Sequence, residues 1–111
     1  MHMNDILILY YSKNDSTKKM ARAIARGIES SNLASSSIRT VHSDSYKESD
    51  DILVTKEDLK KCSGMIIGSP THFGNMAAPL KAFFDSTTDE WFNNTLESKL
   101  GGVFTSTSSM H

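Results

Sequence analysis

The sequence predicts a doubly wound α/β domain, in which a parallel sheet carries helices on both faces. Short apolar runs alternate with segments of helical periodicity, in the order β, α, β, short α, β, α, β. Such alternation is typical of a parallel sheet, because each strand crosses over through a helix to reach the next one. The length of 111 residues suits one small domain, so we expect residues 1–111 to form a single folding unit.

The first βα unit begins with a continuous apolar run over residues 6–11, as expected for a central parallel strand. The run ends at "SKNDST", whose residues form turns and cap helices, so a helix should begin there. Over residues 17–29, apolar and basic side chains fall on opposite faces of that helix. The apolar positions are Met20, Ala21, Ile24, Ala25 and Ile28, and the basic positions are Lys18, Lys19, Arg22 and Arg26.

The middle of the chain predicts a second strand and a short helix. "SNLASSS" is expected to end the first helix, and "SIRTVH", residues 37–42, alternates well enough to be a strand near an edge of the sheet. The charged stretch over residues 43–55 is interpreted as a solvated loop. Residues 56–63, "KEDLKKCS", have the pattern of a short helix that leads into the next strand.

The last third predicts two more strands around one more helix. Residues 65–67 are apolar and lie between two glycines, which suits a strand covered on both faces. Residues 76–85 have helical spacing, with Asn75 as a cap and Pro79 in the first turn. Residues 100–107, "LGGVFTST", are the final predicted strand.

Composition excludes several classes of protein. The 12 basic and 13 acidic residues give a net charge of -1, so no overall field favours nucleic acid. No apolar run approaches the ~20 residues that a membrane span needs, and the first residues lack the pattern of a signal peptide, so we expect a cytoplasmic protein. Cys62 is the only cysteine, which excludes an intramolecular disulfide and a multi-cysteine metal site.

Three polar loops follow three of the predicted strands, and in a doubly wound sheet they would gather at one edge. "SKNDST" places hydroxyl groups at the start of a helix, where they suit a phosphate or serve only as a cap. "SPTHFGN" offers backbone N–H groups, a histidine and a phenylalanine that can cover a flat heteroaromatic ring, although either side chain can also be purely structural. The third loop is "STSSMH". Neither G-x-G-x-x-G nor G-x-x-x-x-G-K-[ST] is present, which argues against those two phosphate sites.

Three stretches together resemble the flavodoxin-like NAD(P)H:quinone oxidoreductases of the WrbA type. They are "YYSKNDSTKKMARAIARGIE", "GSPTHFGNMAAPLKAFFDSTTDEW" and "GGVFTSTSSMH", and they occur in family order across nearly the whole chain. The resemblance implies a flavodoxin-like sheet of order 2-1-3-4 in a three-layer α/β/α fold. It also implies FMN as cofactor, NAD(P)H as electron donor and a quinone as substrate. We expect a homo-oligomer for a separate reason, the uncovered edge strand described below.

The resemblance also assigns the site residues, without a catalytic nucleophile or a metal ligand. The loop that would wrap the FMN phosphate contains Ser12, Asn14, Asp15, Ser16 and Thr17. The loop along the isoalloxazine ring contains Pro70, Thr71, His72, Phe73, Gly74 and Asn75. The third flavin loop contains Ser106, Thr107, Ser108, Ser109, Met110 and His111. Asn14 would also lie near the nicotinamide cofactor, and Trp91 would line the quinone pocket.

The sequence departs from the family pattern in two ways. Asp15 stands where relatives usually have glycine, so a carboxylate enters a loop that should bind an anion, and we expect weaker phosphate binding. Family members are close to twice as long, so this chain is either a fragment or a natural truncation. With the fifth strand missing, residues 103–106 would form an unpaired edge, and we expect self-association or marginal stability.

Three rival classes follow from the same fold. An electron-carrier flavodoxin is typically strongly acidic, whereas this chain is nearly neutral. A phosphoacceptor receiver domain needs carboxylates at the ends of the first and third strands, and those ends read "YYSK" and "GSPT". A scaffold that keeps the fold without the flavin remains open as the third class.

Overall fold

The computed structural model describes residues 4–11, 16–41, 51–69 and 98–105. In these ranges the chain forms, in order, β1 (Asn4–Tyr10), α1 (Ser16–Ser30), β2 (Ala34–Thr40), β3 (Ile52–Leu53), α2 (Lys56–Lys61), β4 (Gly64–Ser69) and β5 (Leu100–Thr105). All neighbouring strands are parallel, and the sheet order is β3-β2-β1-β4-β5. The four strands predicted from sequence therefore have the expected order 2-1-3-4. The helix predicted over residues 76–85 lies outside the described residues.

The central strand β1 alternates between two apolar clusters, one on each face of the sheet. Leu7, Leu9 and Tyr11 pack with Leu59 of α2 on one face. Ile8 and Tyr10 pack on the other face, where α1 covers them. Because successive strand residues point to opposite faces, one continuous apolar run supplies both clusters. The helices on the two faces give the predicted three-layer α/β/α arrangement.

Helix α1 presents a line of small side chains to the sheet. Its buried residues, Thr17, Ala21 and Ala25, are spaced by four and so form one line along the helix. Ile24 and Ile28 flank that line and pack half-buried against the same cluster. The predicted face of the helix is confirmed, but the alanines rather than the isoleucines lie deepest. Small side chains at the contact let the helix approach the sheet closely.

Strand β2 begins at Ala34, within the serine run that was expected to end α1, so the predicted start at residue 37 was wrong. Carboxylates of neighbouring elements satisfy the serine side chains. Ser35 and Ser37 donate to Asp5 on β1 at 3.0 Å. The N–H and the hydroxyl of Ser36 donate to Glu29 at 2.6 and 2.9 Å. These partners explain how a run of serines, which does not favour strands on its own, completes this one.

The prediction of a solvated loop over residues 43–55 was wrong for residues 51–55, the part that the structure describes. Ile52 and Leu53 form β3, which pairs with the end of β2, and Val54 N–H donates to the carbonyl of Thr40 at 2.9 Å. α2 then begins with a capping box between Thr55 and Asp58. The chain therefore returns to the sheet before α2 starts, and β2 lies one strand inside the edge.

Candidate functional site

The carboxyl ends of β1, β4 and β5 lie side by side at one edge of the sheet. The N–H of Tyr11 donates to the carbonyl of Gly68 at 3.1 Å, and Ser69 is paired in register with Thr105. The predicted loops at residues 12–15, 70–75 and 106–111 follow directly after these strand ends. From β1 the chain crosses to β2 on one side of β1, and it later returns to β4 on the other side. The strand order therefore reverses at β1. In open α/β sheets such a switch point forms the ligand crevice.

Helix α1 begins at the same edge, immediately after the first loop. Ser16 is half-buried and Thr17 is 0% exposed. The first turn contains no acidic residue, and it includes Lys18 and Lys19. The first N–H groups of a helix have no partner within it, and its dipole favours an anion. This end of α1 therefore suits a phosphate group, without a carboxylate in its first turn to oppose it.

The residues just inside the edge form a well-packed support. Tyr10, Thr40 and Ser69 are buried, and the hydroxyl of Thr40 donates to the carbonyl of Tyr10 at 2.9 Å. The ring of Phe104 on β5 lies over Gly68, leaving no room for a side chain there. The strand ends that lead into the three loops are thus held by backbone pairing and by side-chain contacts.

A carboxylate that sequence reasoning missed connects three elements near this edge. Asp51, just before β3, accepts a hydrogen bond from Arg22 Nη2 of α1 at 2.7 Å and another from the hydroxyl of Tyr10. The sequence interpretation assigned Arg22 to an exposed basic face and Asp51 to a solvated loop. No local pattern joins them, since 29 positions separate the pair along the chain.

Of the predicted cofactor residues, only Ser16 and Thr17 lie within the described parts of the chain. The others of the first loop, Ser12, Asn14 and Asp15, lie outside them. The same holds for residues 70–75 and 106–111 and for Trp91.

Cys62 lies between α2 and the amino end of β4, at the other end of that strand from the candidate site. It belongs to the apolar cluster on the α2 face of the sheet. Its thiol is buried with Leu59 and Met65, and Sγ donates to the carbonyl of Leu59 at 3.4 Å. Burial raises the pKa of the Cys62 thiol, and the nearby charge of Lys99 partly opposes that shift. A neutral buried thiol is chemically inert, so Cys62 has a packing role.

Within the ranges that the structure describes, no helix is long and apolar enough to cross a membrane.

The fold defines a flavodoxin-like α/β domain. A solved structure described as "Structure of a flavodoxin from the domain Archaea" matches with a TM-score of 0.61 and 20% sequence identity, covering 91% of this chain and 82% of that one. That likeness concerns the fold alone. Residues 5–111 match the family described as "NADPH-dependent FMN reductase", and the chain belongs to this family.

Curated relatives carry a more specific name. "NAD(P)H dehydrogenase (quinone)" of Paracoccus denitrificans is 38% identical over 119 residues, which cover 98% of this chain and 57% of the relative. "NAD(P)H dehydrogenase (quinone) 3" of Rhizobium meliloti is 35% identical over 118 residues, with 98% and 56% covered. The chain thus spans a little over half the length of the curated relatives it matches.

Proposed function

We propose that this chain works as an FMN-dependent NAD(P)H:quinone oxidoreductase, which reduces quinones by two electrons. The observation that carries the proposal is the convergence of the ends of β1, β4 and β5 beside the amino end of α1. Membership of the FMN reductase family and the names of the relatives support the same chemistry.

FMN is the cofactor that this edge fits. Its phosphate needs N–H donors and hydroxyl groups without a competing carboxylate in the helix, and the first turn of α1 meets that requirement. The residues proposed to surround the phosphate are Ser12, Asn14, Asp15, Ser16 and Thr17, and of these the Asp15 carboxylate is expected to weaken binding. Because Thr17 is fully buried, Ser16 is the described residue that can contact the phosphate with least rearrangement.

The other proposed contacts belong to the loops after β4 and β5. Pro70, Thr71, His72, Phe73, Gly74 and Asn75 would lie along the flavin ring, with Ser106, Thr107, Ser108, Ser109, Met110 and His111 as the third loop. Asn14 would lie near the nicotinamide cofactor, and Trp91 would line the quinone pocket.

When bound, FMN would supply the redox chemistry, taking hydride from NAD(P)H and passing two electrons to the quinone. The protein's own residues would have to bind and orient the three molecules. N–H donors of the loop after β4, together with His72, would stabilise negative charge on the reduced ring. No side-chain nucleophile is required, in keeping with the absence of a Ser-His-Asp or Cys-His pattern from the sequence.

A steady-state assay tests this function. The purified chain is mixed with NADH or NADPH and a soluble benzoquinone, with and without added FMN, and nicotinamide oxidation is followed by absorbance. We expect oxidation that needs the chain, FMN and quinone together. Oxidation no faster than with free FMN would contradict the enzyme and leave the flavin-free scaffold as the better interpretation.

The same assay separates the enzyme from an electron carrier. A carrier would bind FMN but would not accept hydride from NAD(P)H directly. The net charge of -1 favours the reductase over the typically acidic carrier. We further propose a cytoplasmic location and a homo-oligomer.

A further inference from the structure

We propose that Asp51 is a positioning residue for the phosphate-binding loop, because its carboxylate joins the end of β1 to α1 and so fixes both attachments of residues 12–15. The inference rests on the proposed function, since it names a residue that prepares the proposed FMN site without touching the cofactor.

The two oxygens of the Asp51 carboxylate have different partners. Oδ1 accepts from Arg22 Nη2 at 2.7 Å, and Oδ2 accepts from the hydroxyl of Tyr10. The Asp51 side chain is 11% exposed, whereas that of Arg22 is 42% exposed. A hydrogen bond between charged groups is stronger than one between neutral groups, and partial burial reduces screening by salt. One carboxylate therefore connects a strand and a helix that have no covalent link except the loop.

Both partners belong to the two elements that flank that loop. Tyr10 is the last residue of β1, only Tyr11 separates it from residue 12, and it is buried against Ala21 and Ala25 of α1. Arg22 belongs to the helix that begins with Ser16, directly after residue 15. Only residues 12–15 link Tyr11 to α1, so any shift of α1 along β1 changes the distance that those four residues have to bridge. A site that is held in its bound shape before the ligand arrives loses less entropy on binding.

A matched control separates positioning from general stability. Asp58 also joins two elements, since its carboxylate accepts from Arg39 Nε at 3.3 Å and caps α2 through Thr55. Leu59 of α2 packs on the Leu7 face of the sheet, whereas α1 covers the Ile8 face. Asp51→Asn therefore removes a carboxylate charge that contacts α1. Asp58→Asn removes a comparable charge on the opposite face of the sheet.

The test measures binding of FMN and of riboflavin, which lacks the phosphate, by fluorescence quenching in wild type, Asp51→Asn, Tyr10→Phe and Asp58→Asn. We expect Asp51→Asn to raise the FMN dissociation constant by about threefold to thirtyfold. Tyr10→Phe should raise it in the same direction. Riboflavin binding should change by less than about twofold in every variant, and Asp58→Asn should leave both ligands within that limit.

Amide hydrogen exchange gives a second readout that does not need a cofactor. In Asp51→Asn the amides of Tyr11 and of the first turn of α1 should exchange faster, and in Asp58→Asn they should not. Three results would overturn the positioning role of Asp51. They are equal weakening of FMN and riboflavin binding, unchanged FMN binding in Asp51→Asn, and unchanged exchange at these amides. Wild type that binds no FMN would contradict the proposed function instead, and the exchange result would still decide the role of Asp51.

Discussion

The ring of Phe104 on β5 occupies the space that a side chain on Gly68 of β4 would need. The two residues are paired in register, and a Cβ added to Gly68 would lie 2.6 Å from Cε1 of that ring. Phe104 also packs against the cluster that contains Ile8 and Tyr10. Glycine at position 68 therefore allows an aromatic side chain to cover the sheet immediately before the loop at residues 70–75.

Gly68→Ala should destabilise the fold, because the ring of Phe104 has to move to admit the methyl group. We expect a loss of about 1–3 kcal/mol in the free energy of unfolding, measured by urea denaturation. In a Phe104→Leu background the same substitution should cost less by at least about 0.5 kcal/mol.

Gly102→Ala is the control for that experiment. Nothing lies within 4 Å of a Cβ at this position in β5, so alanine should be neutral or slightly stabilising there. Equal losses at Gly68 and Gly102 would show that the effect belongs to the strand backbone and not to the ring.

Asn32 should matter for its backbone conformation. It follows α1 with φ of 60°, in the left-handed region where glycine and asparagine are favoured. Asn32→Val should cost about 1–2 kcal/mol of unfolding free energy, and Asn32→Gly should cost little. Thermal unfolding of both variants checks this, and equal stability of the two would contradict the conformational argument.

The buried thiol of Cys62 predicts a loss of stability in alkaline solution. Burial raises the pKa of Cys62 above its ordinary value of 9.0, so the unfolded chain releases the thiol proton at a lower pH than the folded one. The protonated thiol's contribution to the free energy of unfolding is therefore complete below the pKa of Cys62 in the unfolded chain. It is lost as the pH rises through the pKa of Cys62 in the folded chain.

The measurement is urea unfolding at a series of pH values above and below 9.0, the ordinary thiol pKa. Cys62→Ala should be less stable than wild type near neutral pH, because it leaves a cavity, but its stability should decline less steeply on the alkaline side. Parallel curves for the two proteins would show that the thiol does not contribute.

Asp15→Gly should tighten FMN binding if the loop after β1 holds the phosphate, because it removes a negative charge beside an anion. The gain should be largest at low salt, where charges are screened least. Titrations at low and high ionic strength test this. Weaker binding by the glycine variant would show that Asp15 has a favourable role in the loop.

The sequence predicts the framework well because the strongest signals come from burial. The apolar run that becomes β1 and the line of alanines and isoleucines on α1 pack against each other in one cluster, and this burial produces both sequence patterns. β3 was missed because it has only two residues, both exposed, inside a charged stretch. The early start of β2 was missed because Ser35 and Ser37 depend on Asp5, some thirty positions away.

The candidate site is predictable in a different sense. The ends of β1, β4 and β5 could be expected at one edge, because parallel strands place their carboxyl ends together. The Asp51 connection could not, because it joins Tyr10 and Arg22 across 41 and 29 positions without a repeating pattern. The residues proposed to contact the flavin ring and the quinone lie outside the described ranges, and their roles stay predictions.

Fluorescence titration of FMN with the purified chain, in wild type and in Ser16→Ala, tests the central claim most directly. Ser16 begins α1 and is the described residue best placed to contact the phosphate. The proposal predicts that wild type quenches FMN fluorescence in a saturable way. It also predicts that Ser16→Ala weakens FMN binding by about threefold or more, the loss of one hydrogen bond, while riboflavin binding stays unchanged. Wild type that does not quench FMN, or a Ser16→Ala variant that binds both flavins as wild type does, would contradict a phosphate site at this edge.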